Sequence, residues 1–190
     1  PVWSSGDIYA IGDRVIRQET HKIYEALVDN IGSSGVRIDS PNAEVSSLAM
    51  GNGNEFLVIF VDTLTNMAGK AVIGNIVDGT VVLGTPFVWS SNPVYPYACH
   101  VAYSTIDNKY VIVYTEATLP EYPTCCKTIT TSDHGLTPSY ISPRQVIVST
   151  GELATDLAYA PWANVMIMTT DKGVRYGTLE GGYITQWNIT

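Results

Sequence analysis

Glu55-Phe-Leu-Val-Ile-Phe-Val-Asp62 recurs in altered form as Lys109-Tyr-Val-Ile-Val-Tyr-Thr-Glu116 and as Asn164-Val-Met-Ile-Met-Thr-Thr-Asp171. Short apolar runs rich in β-branched and aromatic residues, each ending on an acid, read as strands. Ahead of them stand Leu48-Ala49-Met50, Val101-Ala102-Tyr103 and Leu157-Ala158-Tyr159. Turn residues fill the gaps: Gly51-Asn-Gly-Asn54, Thr105-Ile-Asp-Asn108 and Ala160-Pro-Trp-Ala163. Each copy is therefore a hairpin. The copies start 53 and 56 residues apart, from Leu48 to Val101 and from Val101 to Leu157.

Each hairpin continues into further strand signals. These are 70–77 and 85–89 in the first copy, 126–131 and 144–149 in the second, and 174–179 and 183–188 in the third. Four strands in roughly 50 residues is the period of propeller blades or of repeated antiparallel meanders. The expected fold is all-β: a small N-terminal β-module over residues 1–38, then a repeat domain over 39–190 with copies at 45–92, 98–149 and 153–190, either propeller-blade-like or a sandwich. A closed propeller uses about 4 to 8 blades. Three copies therefore imply a longer parent chain, closure between identical chains, or a sandwich, and the strand signal running into Asn188-Ile-Thr190 fits the first of these.

Composition agrees with β structure. The chain is 45 % hydrophobic and only 15 % charged, with 16 Gly, 10 Pro and 12 Tyr, and it lacks the Ala, Leu, Glu and Lys runs of long helices. A net charge of −8 with scattered acids disfavours nucleic acid and anionic membranes, which both require clustered cations. The longest apolar run, Phe56 to Val61, is too short to span a bilayer as a helix, so no membrane insertion is expected. No signal peptide is read at the start, and a chain opening at Pro1 fits loss of an initiator Met.

In the N-terminal module, Gly6-Asp7 and Gly12-Asp13 are turn dipeptides between the short segments 8–11, 15–17 and 23–28. Gly12 supplies a positive φ and Asp13 bonds the following amide. Short turns would bring Trp3, Tyr9 and Tyr24 together, either as the minimal core of a small β-unit or as an exposed platform for sugar rings. Arg14, Arg17 and Lys22 form the closest cationic grouping of an acidic chain, beside these aromatics. Arginine with aromatics is the composition of interface hot spots, so all six residues are candidate ligand- or partner-binding residues. Gly32-Ser-Ser-Gly35 reads as a hinge.

Two stretches carry a resemblance. Tyr9-Ala-Ile-Gly12-Asp13-Arg-Val15-Ile-Arg17, with Thr20-His-Lys22-Ile-Tyr24-Glu-Ala-Leu27, resembles a module of tailed-phage structural proteins. It is also similar to the small chitin-binding module of bacterial chitinases, whose closing Trp has no counterpart after Ile31. Val101-Ala-Tyr103 with Asn108 and Val111-Ile-Val-Tyr114, together with Gly69-Lys-Ala71-Val-Ile-Gly74 and Gly84-Thr-Pro86, looks like repeats of phage tail-fibre and appendage proteins. The resemblance implies a virion structural protein of tail-fibre or appendage type, assembled in the host cytoplasm. Its expected partners are other virion proteins and copies of itself, a trimer being preferred, with a host surface glycan as a further ligand. A module stacking chitin-like glycans on Trp3, Tyr9 and Tyr24 is the alternative, and a capsid decoration protein another.

Catalytic and metal signatures are absent from the sequence. There is no Gly-x-Ser-x-Gly, no His-Glu-x-x-His and no phosphate-binding glycine loop, and His21, His100 and His134 sit in unrelated segments. Cys99 and the adjacent Cys125-Cys126 fit neither a disulfide framework nor a metal-ligand spacing, so no cofactor and no metal is expected. The acids at equivalent repeat positions, Asp62, Glu116 and Asp171, could converge on one rim as a hydrolase site, or serve as solvated turn residues that cap loop backbone.

Overall fold

The computed structural model describes residues 14–17, 22–25, 43–132, 135–180 and 183–189, and among them the chain forms fifteen strands and no helix. Contacts divide the chain into Pro1–Arg37 and Ile38–Thr190. In the first unit, β1 (Arg14–Arg17) pairs antiparallel with β2 (Lys22–Glu25). The expected segment 8–11 and the Gly12-Asp13 turn lie outside the described residues.

The second unit is a succession of antiparallel meanders. β3 (Ala43–Met50), β4 (Glu55–Asp62) and β5 (Ala68–Val77) form the first. Its far edge is shared by β6 (Thr80–Leu83) and by the opening of β7 (Phe87–Ser104). The remainder of β7 begins the second meander with β8 (Lys109–Glu116) and β9 (Thr124–Thr131), edged by β10 (Pro138–Ile141) and β11 (Gln145–Val148). The third is a separate four-stranded sheet of β12 (Ala154–Ala160), β13 (Val165–Thr170), β14 (Gly173–Glu180) and β15 (Tyr183–Ile189). β3 and β12 both lie alongside β7, and Val101 N donates to Ser47 Oγ at 3.3 Å.

β7 departs from the sequence reading. The strand signal of the first copy stops at residue 89 and the second copy is read from 98, yet one 18-residue strand runs through Pro93 and Pro96. The ladder register with β8 shifts between Val94 and Cys99, so Pro96 falls within a bulge, where a missing N–H is tolerated, and Pro93 stands beside the register shift in the ladder with β5. A bulge also bends its strand. β7 is also the strand shared by the two meanders of the nine-stranded sheet. β10 was not anticipated, and its Pro138 occupies the first position of an edge strand, where a missing N–H is tolerated.

Two cores use opposite faces of β8. Tyr110, Ile112 and Tyr114 enter a core with Leu57, Ile59 and Val61 of β4 and the wholly buried Trp89. Val111 and Val113 point the other way, against Leu157, Met166, Met168, Leu179 and Ile184. Each aliphatic side chain so buried stabilises by roughly 1.5–3 kcal/mol over exposure. β13 differs from β4 and β8: Met166 and Met168 are buried, while Val165, Ile167 and Thr169 are only half-buried.

The motif that repeats is a turn device. Tyr103 Oη donates to Asn108 Oδ1 at 3.3 Å, and Tyr159 Oη to Asn164 Oδ1 at 2.9 Å. Both asparagines hold φ of 50°, a left-handed conformation that Asn tolerates better than most residues. The first copy uses glycine instead. A Cβ on Gly51 would overlap Tyr110 Oη, so the bare backbone makes room for that phenol.

Gly69 meets the same requirement in the first core, where an added Cβ would lie 2.5 Å from the Trp89 ring. That ring is also fixed by Nε1 donating to Lys70 O at 2.8 Å. Urea unfolding of Gly69→Ala is expected to show a loss of about 1–3 kcal/mol from overpacking. Gly79→Asn, at φ of 74° in open space, should stay within about 0.5 kcal/mol of the parent. Equal stability of the two variants would mean that Trp89 yields freely.

Candidate functional site

Of the residues expected to bind a ligand or partner, Trp3 and Tyr9 lie outside the described residues, as do the turn residues Gly12 and Asp13. Arg14, Arg17, Lys22 and Tyr24 fall on the β1–β2 ribbon. Its register sets Arg14 opposite Glu25, Val15 opposite Tyr24, and Arg17 opposite Lys22. Arg17 and Lys22 are thus like-charged residues at one cross-strand position.

The strand-ending acids are occupied locally. Asp62 Oδ2 lies 2.7 Å from Lys70 Nζ, and its Oδ1 accepts Leu64 N at 3.0 Å. Glu116 is held by Arg144 in a fork, Nε to Oε1 at 2.7 Å and Nη2 to Oε2 at 2.8 Å, while Asn92 Nδ2 donates to Oε1 at 2.9 Å. Asp171 Oδ1 accepts Leu153 N at 2.8 Å. A second fork joins Arg175 to Glu152, at 2.8 and 2.6 Å. Asp62 and Asp171 do cap loop backbone, whereas Glu116 is held by side chains alone, and Asp62 and Glu116 are buried rather than solvated. Lys70 holds the Asp62 carboxyl below the usual carboxylate range, and Arg175 does the same for Glu152.

Glu55 is a buried carboxylate of another kind. Its Oε1 accepts Tyr110 Oη at 2.9 Å and Thr131 Oγ1 at 2.8 Å. Burial, then the Glu55 charge, pushes the Tyr110 phenol far up, so it serves as a permanent donor. Beside this cluster opens a cleft of about 480 Å³, walled by Asn54, Asn75, Ile76, Asp78, Val82 and Leu136.

All three cysteines are buried and none is bridged in a disulfide. Burial pushes the Cys125 thiol up to about 11 and the Cys126 thiol up to about 12. Cys126 Sγ donates to Gln145 Oε1 at 3.2 Å, while Gln145 Nε2 donates to Ile184 O at 2.6 Å and Ile184 N donates to Gln145 Oε1 at 3.0 Å. These contacts fasten the second meander to the third. No group of metal-ligating side chains occurs among the described residues. His100 is half-buried with Nε2 unpaired among the described residues, and its pKa is lowered chiefly by burial, against the Asp156 charge and the Ala154 backbone. His21 and His134 lie outside the described residues.

Two surface features escaped the sequence reading. Trp162, 88 % exposed, tips the third hairpin at the position of the exposed Ile106 in the second. Tyr95, in β7, and Tyr122, in the link between β8 and β9, pack with centroids 5.6 Å apart and planes at 50°, and Tyr97, two positions along β7 from Tyr95, is 86 % exposed. Trp162 lies in a segment that reads from sequence as a turn, and only the dense Pro93-Val-Tyr-Pro-Tyr97 spelling hints at the tyrosines. Among known proteins, no family model matches the chain and no curated protein matches it significantly.

Two acid-side transitions are expected. The Glu152 value is lowered in the folded chain, so its contribution is present above the ordinary 4.5 and is lost as pH falls through the folded value. For His100, also lowered, the unfolded chain takes up the proton first, and stability declines as pH falls below 6.5. In urea midpoints measured from pH 3 to 8, Glu152→Gln should flatten the lower limb and His100→Gln the slope just below 6.5. At pH 8, with values of about 11 and 12, roughly 0.1 % or less of either adjacent thiol is ionised. Ellman's reagent should therefore label Cys125 and Cys126 only slowly until the chain is unfolded, and rapid labelling of the native protein would contradict their burial.

Proposed function

We propose that the chain is a non-enzymatic structural component of a tailed-phage virion, of tail-fibre or appendage type, acting in particle assembly. The observation that carries this reading is the state of the acids on which a hydrolase would depend. Asp62 and Glu116 are each neutralised by a cation of their own meander, and Asp171 caps a backbone amide. Carboxylates so engaged hold strands and loops in register and are poor proton carriers. The signature that carries the resemblance to tail-fibre repeats is likewise architectural, because its Tyr and Asn close the hairpin turns.

Partners follow from the surfaces. Ala158, Ile167, Val174 and Tyr176 share one side of the third sheet, and all four are exposed or half-buried. Such a face suits packing against another virion protein or a second copy of the chain, a trimer being the preferred order. The cationic positions Arg14, Arg17 and Lys22 suit docking onto an acidic virion protein, with attachment that weakens as salt rises.

Purified particles test the reading. The chain is expected in density-banded virions, with immunogold label on the tail, and Arg14→Glu/Arg17→Glu should lower incorporation several-fold. Absence from washed particles, or release of reducing ends from a polysaccharide by the purified chain, would overturn it. Label on the head would favour a capsid decoration protein.

A further inference from the structure

We propose that Tyr95, Tyr97 and Tyr122 form a stacking platform for a neutral oligosaccharide, on the repeat unit and separate from the N-terminal module. The patch is built, not incidental. Backbone bonds tie β7 and three connections together around it: Ala117 N donates to Pro93 O at 2.8 Å, Val94 N to Met67 O at 2.9 Å, and Gly151 N to Glu121 O at 2.9 Å. Tyr122 holds φ of 45°, a conformation rare for a bulky residue, and its N donates to Thr118 O at 3.0 Å. A strained backbone persists only where its surroundings over-determine it, and such positions cluster at ligand clamps. Here the strain accompanies the placement of the Tyr122 ring against Tyr95.

The chemistry selects the ligand. Ring faces accept the apolar C–H face of a sugar, and phenol hydroxyls match its polar edge. The guanidinium groups of Arg144 and Arg175 are each closed on their own carboxylates, and the chain carries −8, which disfavours an anionic glycan. Three tyrosines bury at most about 150–250 Å² each. That falls short of the ~800 Å² per partner of a stable protein interface and suits a few sugar rings.

The test uses the full chain on an array of neutral and acidic bacterial-surface oligosaccharides, with hits quantified by isothermal titration calorimetry. A neutral glycan should bind saturably and about equally from low to high NaCl. Tyr97→Ala and Tyr122→Ala should each weaken it roughly tenfold, the scale of one lost stacking ring. Tyr97→Phe and Trp162→Ala should retain it, and unchanged thermal melts would establish that Tyr97→Ala is folded. The proposal fails if no neutral glycan binds, if binding survives Tyr97→Ala, if Trp3→Ala abolishes it instead, or if Tyr97→Ala changes the molecular mass by light scattering. The proposal bears on host attachment within the virion reading, yet it is read on the isolated protein, whereas that reading is tested on particles, so either can fail alone.

Discussion

Burial of β8 on both faces is the constraint on which the repeat unit depends. A strand whose alternate side chains enter two different cores must be covered by a layer on each side, and Tyr110, Ile112 and Tyr114 against Val111 and Val113 impose that. The first and third meanders supply the layers. The end of the strand is then fastened where it emerges: the Thr115 and Thr124 hydroxyls both donate to Glu152 O, and Ala154 N donates to Thr115 Oγ1 at 3.2 Å. The entry to β12 is thereby fixed to the exit from β8. Hydrophobic burial drives the stacking, and these polar contacts select its register.

The ion pairs follow from the same geometry. A strand buried on both faces ends in a carboxylate that has left water, and a buried charge without its counter-ion is strongly destabilising. Lys70 and Arg144 reach Asp62 and Glu116 from the surface, keeping part of each cation solvated while neutralising the acid. Such pairs add little net stability, but a pairing in which Glu116 misses Arg144 would leave a charge stranded. Their effect is therefore on which alignment forms.

The exposed aromatics lie at the margins of this framework. Loops over a rigid scaffold are where binding residues collect, because the scaffold holds them without constraining their identity. Tyr122 and the hairpin-tip Trp162 occupy such segments, while Tyr95 and Tyr97 lie on β7 where its ladder register shifts. The acids that looked catalytic by their repetition occupy strand ends instead, where repetition reflects a recurring structural need.

The all-β class, the three hairpins and most strands were legible in the sequence, because alternation, β-branched content and turn residues are local properties of the chain. Asn108 could be placed in a turn for the same reason, whereas Asn164 read as the first residue of its strand. The capping role of Asp62 and Asp171 was legible too, though the burial of Asp62 and Glu116 was not, since burial depends on the layer packed against them. The run of β7 through its prolines was not legible, because a bulge is a property of two paired strands, and one strand's sequence does not reveal its partner's register. The Tyr95–Tyr122 platform joins residues 27 positions apart, as counting from 95 to 122 gives. Residue types and spacing along the chain thus determined what could form strands and turns. Only the tertiary structure decided which faces met, which charges were paired and which aromatics stayed in water, because those outcomes depend on distances between segments that the chain itself keeps apart.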